Sequence, residues 1–225
     1  MKPLFLSLAF LFTSCLLPAQ ENSGFGKGEG VTGEVLALAV QTDGQVIIGG
    51  AFSAVNGVPR QNLARLKADG TLDATFIPQA VEGPNGPVAA LLLLSDGSVI
   101  VGGNFATAGN LVRGDLVKFK SDGTADSQFG AMEGGVATNG SVAALALQPD
   151  GSIVVGGKFT TFYGQPRRNI AILNADGTVA KSTRESDTLN GVVKALGTGQ
   201  AGAVFAAGSF SYPGQSAHGI LRFGH

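Results

Sequence analysis

The chain has 225 residues, with 15 basic and 16 acidic side chains for a formal net charge of −1, 35 glycines and one cysteine. A near-neutral chain with no Lys/Arg run longer than Arg167-Arg168 lacks the concentrated positive field that phosphate affinity needs, which excludes a nucleic-acid or membrane-surface binder. Only 14% of residues are charged, so long solvated helices are excluded and tightly turned strands are favoured.

In chain order, Met1-Lys2 is a short basic start, Leu4 to Leu17 is apolar, and Leu17-Pro18-Ala19 gives small-residue cleavage context. Residues 1–19 therefore read as a signal peptide, with the mature protein secreted or extracytoplasmic in the periplasm or at the cell surface. Phe12-Thr13-Ser14-Cys15 loosely resembles a lipoprotein cleavage site, but Phe12 stands where Leu is usual and Leu16-Leu17 follow the cysteine, so anchoring through Cys15 is disfavoured. Cleavage after Ala19 leaves no cysteine and no disulfide. Nothing later offers the roughly 18 uninterrupted apolar residues of a membrane span.

The rest of the chain repeats. Val88 to Phe105 returns as Val142 to Phe159, an earlier copy runs Val35 to Phe52, and a degenerate fourth runs Val193 to Phe210. The units span about 35–87, 88–141, 142–192 and 193–225 of a single domain, 20–225. Within one unit Val88 to Leu94 is an apolar strand, Asp96-Gly97 is expected as a two-residue hairpin turn, and Val99-Ile-Val101 is the partner strand. Gly102-Gly103 ends that strand, and Phe105 supplies one large apolar plug. After a polar loop, Asp115 to Lys120 alternates, Asp122-Gly123 turns again, and Thr124 to Phe129 predicts a short fourth strand ending in Asp126-x-x-Phe129. Asn85-Gly86, Asn139-Gly140 and Asn190-Gly191 precede the first strands as turns. No mature segment carries helical periodicity.

Four-stranded units of this length stack radially into a propeller or in line as a solenoid. The fourth unit stops before its last strand, while Asn22-Ser-Gly-Phe25 matches the Asp-x-x-Phe motif at the other end. The expectation is an all-β propeller of four four-stranded repeats whose ring is closed by the N-terminal strand, hence a monomer. The alternative is an open arc of four blades that completes itself by dimerising.

The order x-Ala-Leu-x-x-Gln-x-Asp-Gly-x-Ile/Val-x-Val-Gly-Gly-x-Phe, then Arg-Leu-x-x-Asp-Gly-Thr-x-Asp-x-x-Phe, resembles the delta-60 repeat, a β-propeller-type repeat of bacterial secreted and surface proteins. The resemblance covers residues 22–225. It weakens in the fourth unit, where Ala201-Gly202 stands for Asp-Gly and Ala206-Ala207-Gly208 for Val-Gly-Gly, and the third unit has Ala180 and Thr183 in place of Asp and Phe. It implies a fold and an extracytoplasmic address, and no reaction or catalytic residue.

Other motifs carry little chemistry. Gly28-x-Gly30-x-x-Gly33 has the dinucleotide fingerprint letters but precedes a strand, where the fingerprint needs a helix. The Asp-Gly aspartates stand alone, unlike a calcium loop. His218 and His225 are the two histidines, too few for a three-histidine zinc site, and Glu185 and Asp187 fall in an irregular loop. Asn139-Gly140-Ser141 is a glycosylation sequon by letter and a turn by position. Arg60, Arg113, Arg167 and His218 align between the plug and the third strand. They form either a basic ring that binds an anion or struts that bond backbone carbonyls and fix blade to blade, the second being favoured. Arg65, Lys118 and Arg222, with Ile172 as the fourth, read as solvated strand surface. The expected function is a non-enzymatic binding or scaffold module with no cofactor or metal, its partner a protein, glycan or small anion. The alternatives are an enzyme with an axial-pocket active site, or a fragment of a larger surface repeat protein.

Overall fold

Apolar runs broken by Asp-Gly pairs fold into antiparallel meanders. The computed structural model, which describes residues 28–76, 83–131, 135–180, 189–211 and 218–223, holds four of them in chain order. In the first, β2 (Val46–Val55) pairs β1 (Val31–Val40) on one side and β4 (Leu63–Leu66) on the other, with β3 (Val58–Pro59) a short return on β2. The second sets β6 (Val99–Gly103) between β5 (Val88–Leu93) and β9 (Leu116–Phe119), and β7 (Thr107–Ala108) with β8 (Leu111–Val112) makes a ribbon of the intervening loop. The third repeats this with β11 (Ile153–Lys158) between β10 (Ser141–Leu147) and β14 (Ile170–Leu173), plus the ribbon β12 (Thr161–Phe162) and β13 (Gln165–Pro166). In the fourth, β16 (Val204–Ser211) lies between β15 (Asn190–Thr198) and β17 (His218–Phe223). Among the described residues no helix is long and apolar enough to cross a membrane.

Two local expectations are corrected. The Asp-Gly turns are three-residue loops, because Gln41 N–H donates to Gln45 O while Gly44 N–H donates to Gln41 O, and only the glycine has a positive φ, 82°. The aspartate is not among the positive-φ residues, and its carboxylate accepts the N–H two residues on, as Asp96 does from Ser98 and Asp122 from Thr124 at 2.9 and 2.8 Å. The strand expected after the second turn is also reduced to a bridge in the first three units among the described residues. After the second turn a single residue bridges back in each case, Leu66 to Leu72, Phe119 to Ala125 and Leu173 to Val179. In the first unit Asp73 then accepts from the Thr75 N–H at 2.9 Å and its hydroxyl at 2.6 Å, which bends the chain away before a fourth strand can extend. The leader at 1–19 and the closing strand expected at 22–25 lie outside the described residues.

The paired glycines set how the sheets stack. A Cβ on Gly49 would lie 2.4 Å from Val88 Cγ1, one on Gly102 2.4 Å from Val142 Cγ1, and one on Gly156 2.5 Å from Val193 Cγ1, so the first glycine is a hole for the valine of the next unit. The second glycine faces its own sheet: a Cβ on Gly103 would lie 2.1 Å from Pro87 O, where β5 is bulged between Val88 and Ala90. The core therefore lies between successive sheets. Ile47, Leu63 and Phe76 of the first unit cluster with Val88, Val101, Phe105 and Phe119 of the second, and equivalent clusters join the second to the third and the third to the fourth. The plugs Phe52, Phe105, Phe159 and Phe210 are all buried, at 5% exposure or less, as the repeat register requires. β1 packs on β5, β5 on β10 and β10 on β15, whereas no sheet joins the first unit to the fourth among the described residues.

Filling one hole should disturb one junction. Gly102→Ala is expected to cost about 1–3 kcal/mol by overpacking. Phe105→Ala should cost about 3–5 kcal/mol, and Gly197→Ala, where a Cβ meets nothing within 4 Å, should be near neutral. Thermal melting of the three variants checks the order, at about 2–4 °C per kcal/mol for a chain of this size.

Candidate functional site

Arg60 N–H bonds Ser53 O, Arg167 N–H bonds Thr160 O, and His218 pairs Ser211 on the same strand edge, so their backbones are equivalent. The guanidinium groups hold local carbonyls: Arg60 Nη1 donates to Pro59 O and Arg167 Nη1 to Pro166 O, both at 2.8 Å, and Arg113 Nη2 donates to Ser127 O at 2.9 Å. Arg60 is buried, while Arg113 and Arg167 are half-buried. In all three the Nε is buried and without a partner among the described residues.

Arg65 corrects the reading of solvated strand surface. It is buried, bonds Asp73 Oδ2 through Nε and Nη2 at 2.8 Å, donates from Nη1 to Ser121 O of the second unit, and lies 4.6 Å over the Phe76 ring. Burial pushes the Asp73 carboxyl up, but the Thr75 and Arg65 hydrogen bonds outweigh it and hold the group below its ordinary value. This is a joint between units. Lys118 instead lies 3.6 Å from Asp96 of its own unit.

Two residues after each aligned arginine stands a position that sequence reasoning passed over, Asn62, Asp115 and Asn169, matched in the fourth unit by Gly219, one residue after His218 and just before Ile220, which pairs Ala207 as Leu63 pairs Gly49. All four have positive φ, 60°, 67°, 66° and 85°, a left-handed backbone that Asn, Asp and Gly tolerate best. Each of the first three is a post that fastens the plug. The side-chain Oδ1 accepts the amide of Phe52, Phe105 or Phe159 at 3.1, 3.2 and 3.0 Å. The second arm reaches the segment leading into the next unit. Asn62 Nδ2 donates to Pro84 O at 2.8 Å and Asn169 Nδ2 to Leu189 O at 2.5 Å. A carboxylate cannot donate, so at the middle junction the polarity reverses and Asp115 Oδ2 accepts from the Thr138 hydroxyl at 2.6 Å.

Asp115 opens onto a cleft of about 410 Å³ between the second and third units, lined also by Asn85, Asn104, Val136, Thr138 and Asn139. Asn85 Oδ1 accepts from the amides of Ala106 and Thr107, and Asn139 Oδ1 from those of Thr160 and Thr161, so both asparagines are fixed by the ribbons beside them. Asn139 thus ties the segment before β10 to the β12–β13 ribbon. Val136 is exposed and supplies an apolar wall. Asp115 itself is 5% exposed, and burial pushes its carboxyl above the ordinary 3.8 although the Thr138 hydroxyl and Phe105 amide pull it down. Its carboxylate has about four acceptor positions, of which these two bonds use two. The described residues hold no cluster of three metal-ligating side chains.

Three stretches, 41–76, 94–129 and 148–179, match the model of the family described as a domain of unknown function (DUF5122) beta-propeller. They run from the first hairpin turn to the Asp-x-x-Phe bend in the first two units and end at the equivalent bridge, Val179, in the third. No curated protein matches the chain. Among solved structures, the WD40 beta propeller domain of Doa1 superposes with a TM-score of 0.54 at 16% identity, over 84% of this chain and 50% of that one. The extracellular domain of BT4673 from B. thetaiotaomicron gives a TM-score of 0.48 at 16% identity, over 84% of this chain and 21% of that one. The chain thus spans half or less of the length of these two structures. With sheets stacked face to face, a Gly-Gly joint in each of the first three units and three matches to one propeller model, the chain is a repeat protein of the β-propeller type.

Proposed function

We propose that the chain is an extracytoplasmic, non-enzymatic propeller module that binds a neutral, hydroxyl-bearing ligand of glycan class in the cleft at Asp115. The observation that carries this is the buried carboxylate itself. Asn62 and Asn169 do the same structural work without a charge, so the charge at Asp115 is a departure that burial makes unfavourable. A carboxylate with spare acceptor positions, fixed asparagine amides and the apolar Val136 wall suit sugar hydroxyls and a C–H face, and disfavour an anion. The leader at 1–19 supports the extracytoplasmic address.

Catalysis is the competing class, through Asp115 as base and Thr138 as nucleophile. Two features weigh against it. Thr138 is buried and its hydroxyl also accepts the Gly140 N–H, and no second titratable side chain lines the cleft among the described residues. An anion bound at the aligned arginines is a second binding reading, favoured by their three unpartnered Nε groups. Arg113→Gln would then weaken a salt-sensitive affinity for inorganic phosphate with little change in melting temperature, whereas a strut would lose stability alone.

Asp115→Asn separates structure from function. At pH 7 it should raise stability by about 1 kcal/mol, by removing a buried charge while restoring the post used in the first and third units. Because the folded pKa of Asp115 lies above 3.8, the cost of its charge is present above that folded value and is relieved as pH falls through it toward 3.8. The advantage of the variant should therefore shrink on mild acidification. Asp96, Asp122, Asp150 and Asp176 have lowered values, chiefly through Ser or Thr hydroxyl and amide hydrogen bonds, so their contribution holds above 3.8 and is lost only as pH falls below it. Melting curves of parent and variant from pH 7 to pH 3 check both. On a glycan array and by calorimetry, binding by the parent should drop at least about ten-fold in the better-folded variant, 1.4 kcal/mol of affinity. Equal binding by both would remove Asp115 from the site.

A further inference from the structure

Every internal junction of the chain has two sides. On the side facing the preceding unit, Val88 and Leu91 of β5, or Val142 and Leu145 of β10, close over the glycine hole. On the side facing the following unit, the hole is flanked by Ile47 and Leu63, by Ile100 and Leu116, or by Val154 and Ile170, all buried. The same register places Val35 and Leu38 of β1 on the first side, and Phe205 and Ile220, flanking Ala207, on the second. These four are exposed, at 42%, 65%, 41% and 65%. The chain thus carries both halves of its own blade-to-blade contact, one at each end, and β1 makes no comparable packing with β15, β16 or β17.

We propose that a second copy of the chain covers these faces, the first sheet of each copy packing on the fourth sheet of its partner, so that two arcs close one ring of eight sheets about a two-fold axis. Eight lies within the range of known propellers, and a head-to-tail contact that closes after two copies leaves no open face. The surface continues an interface the chain already makes three times. Both halves belong to one chain, so no other molecule is needed. The arc superposes on half of the Doa1 chain, as a segment of a larger ring would. The new junction is thicker than the internal ones: Ala207 adds a methyl where the others have glycine, and Phe205 stands in place of Ile47, Ile100 and Val154. A Cβ at the internal glycines would strike the facing valine, so the ends meet at a wider spacing, which the larger phenylalanine fills.

Sedimentation of the purified chain tests this. The expected species has twice the 22.7 kDa of the chain. Leu38→Glu and Ile220→Glu each damage both junctions of the ring and should each give monomers, with dissociation at least about 100-fold easier. An equimolar mixture of the two variants regains one intact junction and should regain mass. Both positions are exposed strand surface, so melting temperatures of the monomers should differ little from each other, which separates lost assembly from lost folding. A parent that stays monomeric at 100 μM overturns the proposal. So does an Ile220→Glu variant that stays dimeric while Leu38→Glu does not, since that pattern means first sheet against first sheet.

Discussion

The approach of Val88 to the bare α-carbon of Gly49, repeated by Val142 on Gly102 and Val193 on Gly156, sets the distance between successive sheets. Everything larger depends on it. With that spacing fixed, Phe76 and Phe105 help fill one junction, and Phe129 and Phe159 the next. A methyl at the hole would push the sheets apart by far more than a packed core absorbs without strain. The Val-Gly-Gly segment is therefore two separate constraints written side by side, one between units and one within the bulged hairpin.

What the sequence made legible is what is local and repeated. The Asp-Gly turns, the paired glycines and the phenylalanine plugs each have a conformational reason that operates within a few residues, so their recurrence declared the period and the sheet order directly. The loss of the fourth strand was not legible, because Thr124 to Phe129 has strand-like composition and only the capping of Thr75 by Asp73, and of Gln128 by Asp126, shows where pairing stops. Arg65 failed for a related reason. Its alternation with apolar neighbours suits an outward-facing side chain, and its burial rests on Asp73, on Ser121 in the next unit and on the Phe76 ring, none of which strand periodicity reveals.

The site shows the same division. Arginines drew attention because charge is visible in a sequence, yet in the fold they close onto nearby carbonyls. The informative column was the neighbouring one, Asn62, Asp115, Asn169 and Gly219, whose signal was one charged letter among residues that all tolerate positive φ. Its meaning depends on where the second arm of the side chain ends, which is a fact about the following unit and not about the residue.

That second arm links architecture to function. At the first and third junctions an amide donates to a backbone carbonyl and ties one unit to the segment leading into the next. At the middle junction the carboxylate accepts a hydroxyl, and the tie is kept while its electrostatic character is inverted. A joint that elsewhere offers one accepting and one donating arm here offers acceptors alone, with positions to spare beside a cleft, at the expense of a buried charge. A scaffold built from near-identical joints can carry a site in this way without altering its spacing: the backbone of the post, its φ and its bond to the plug stay the same, and only the group it offers changes.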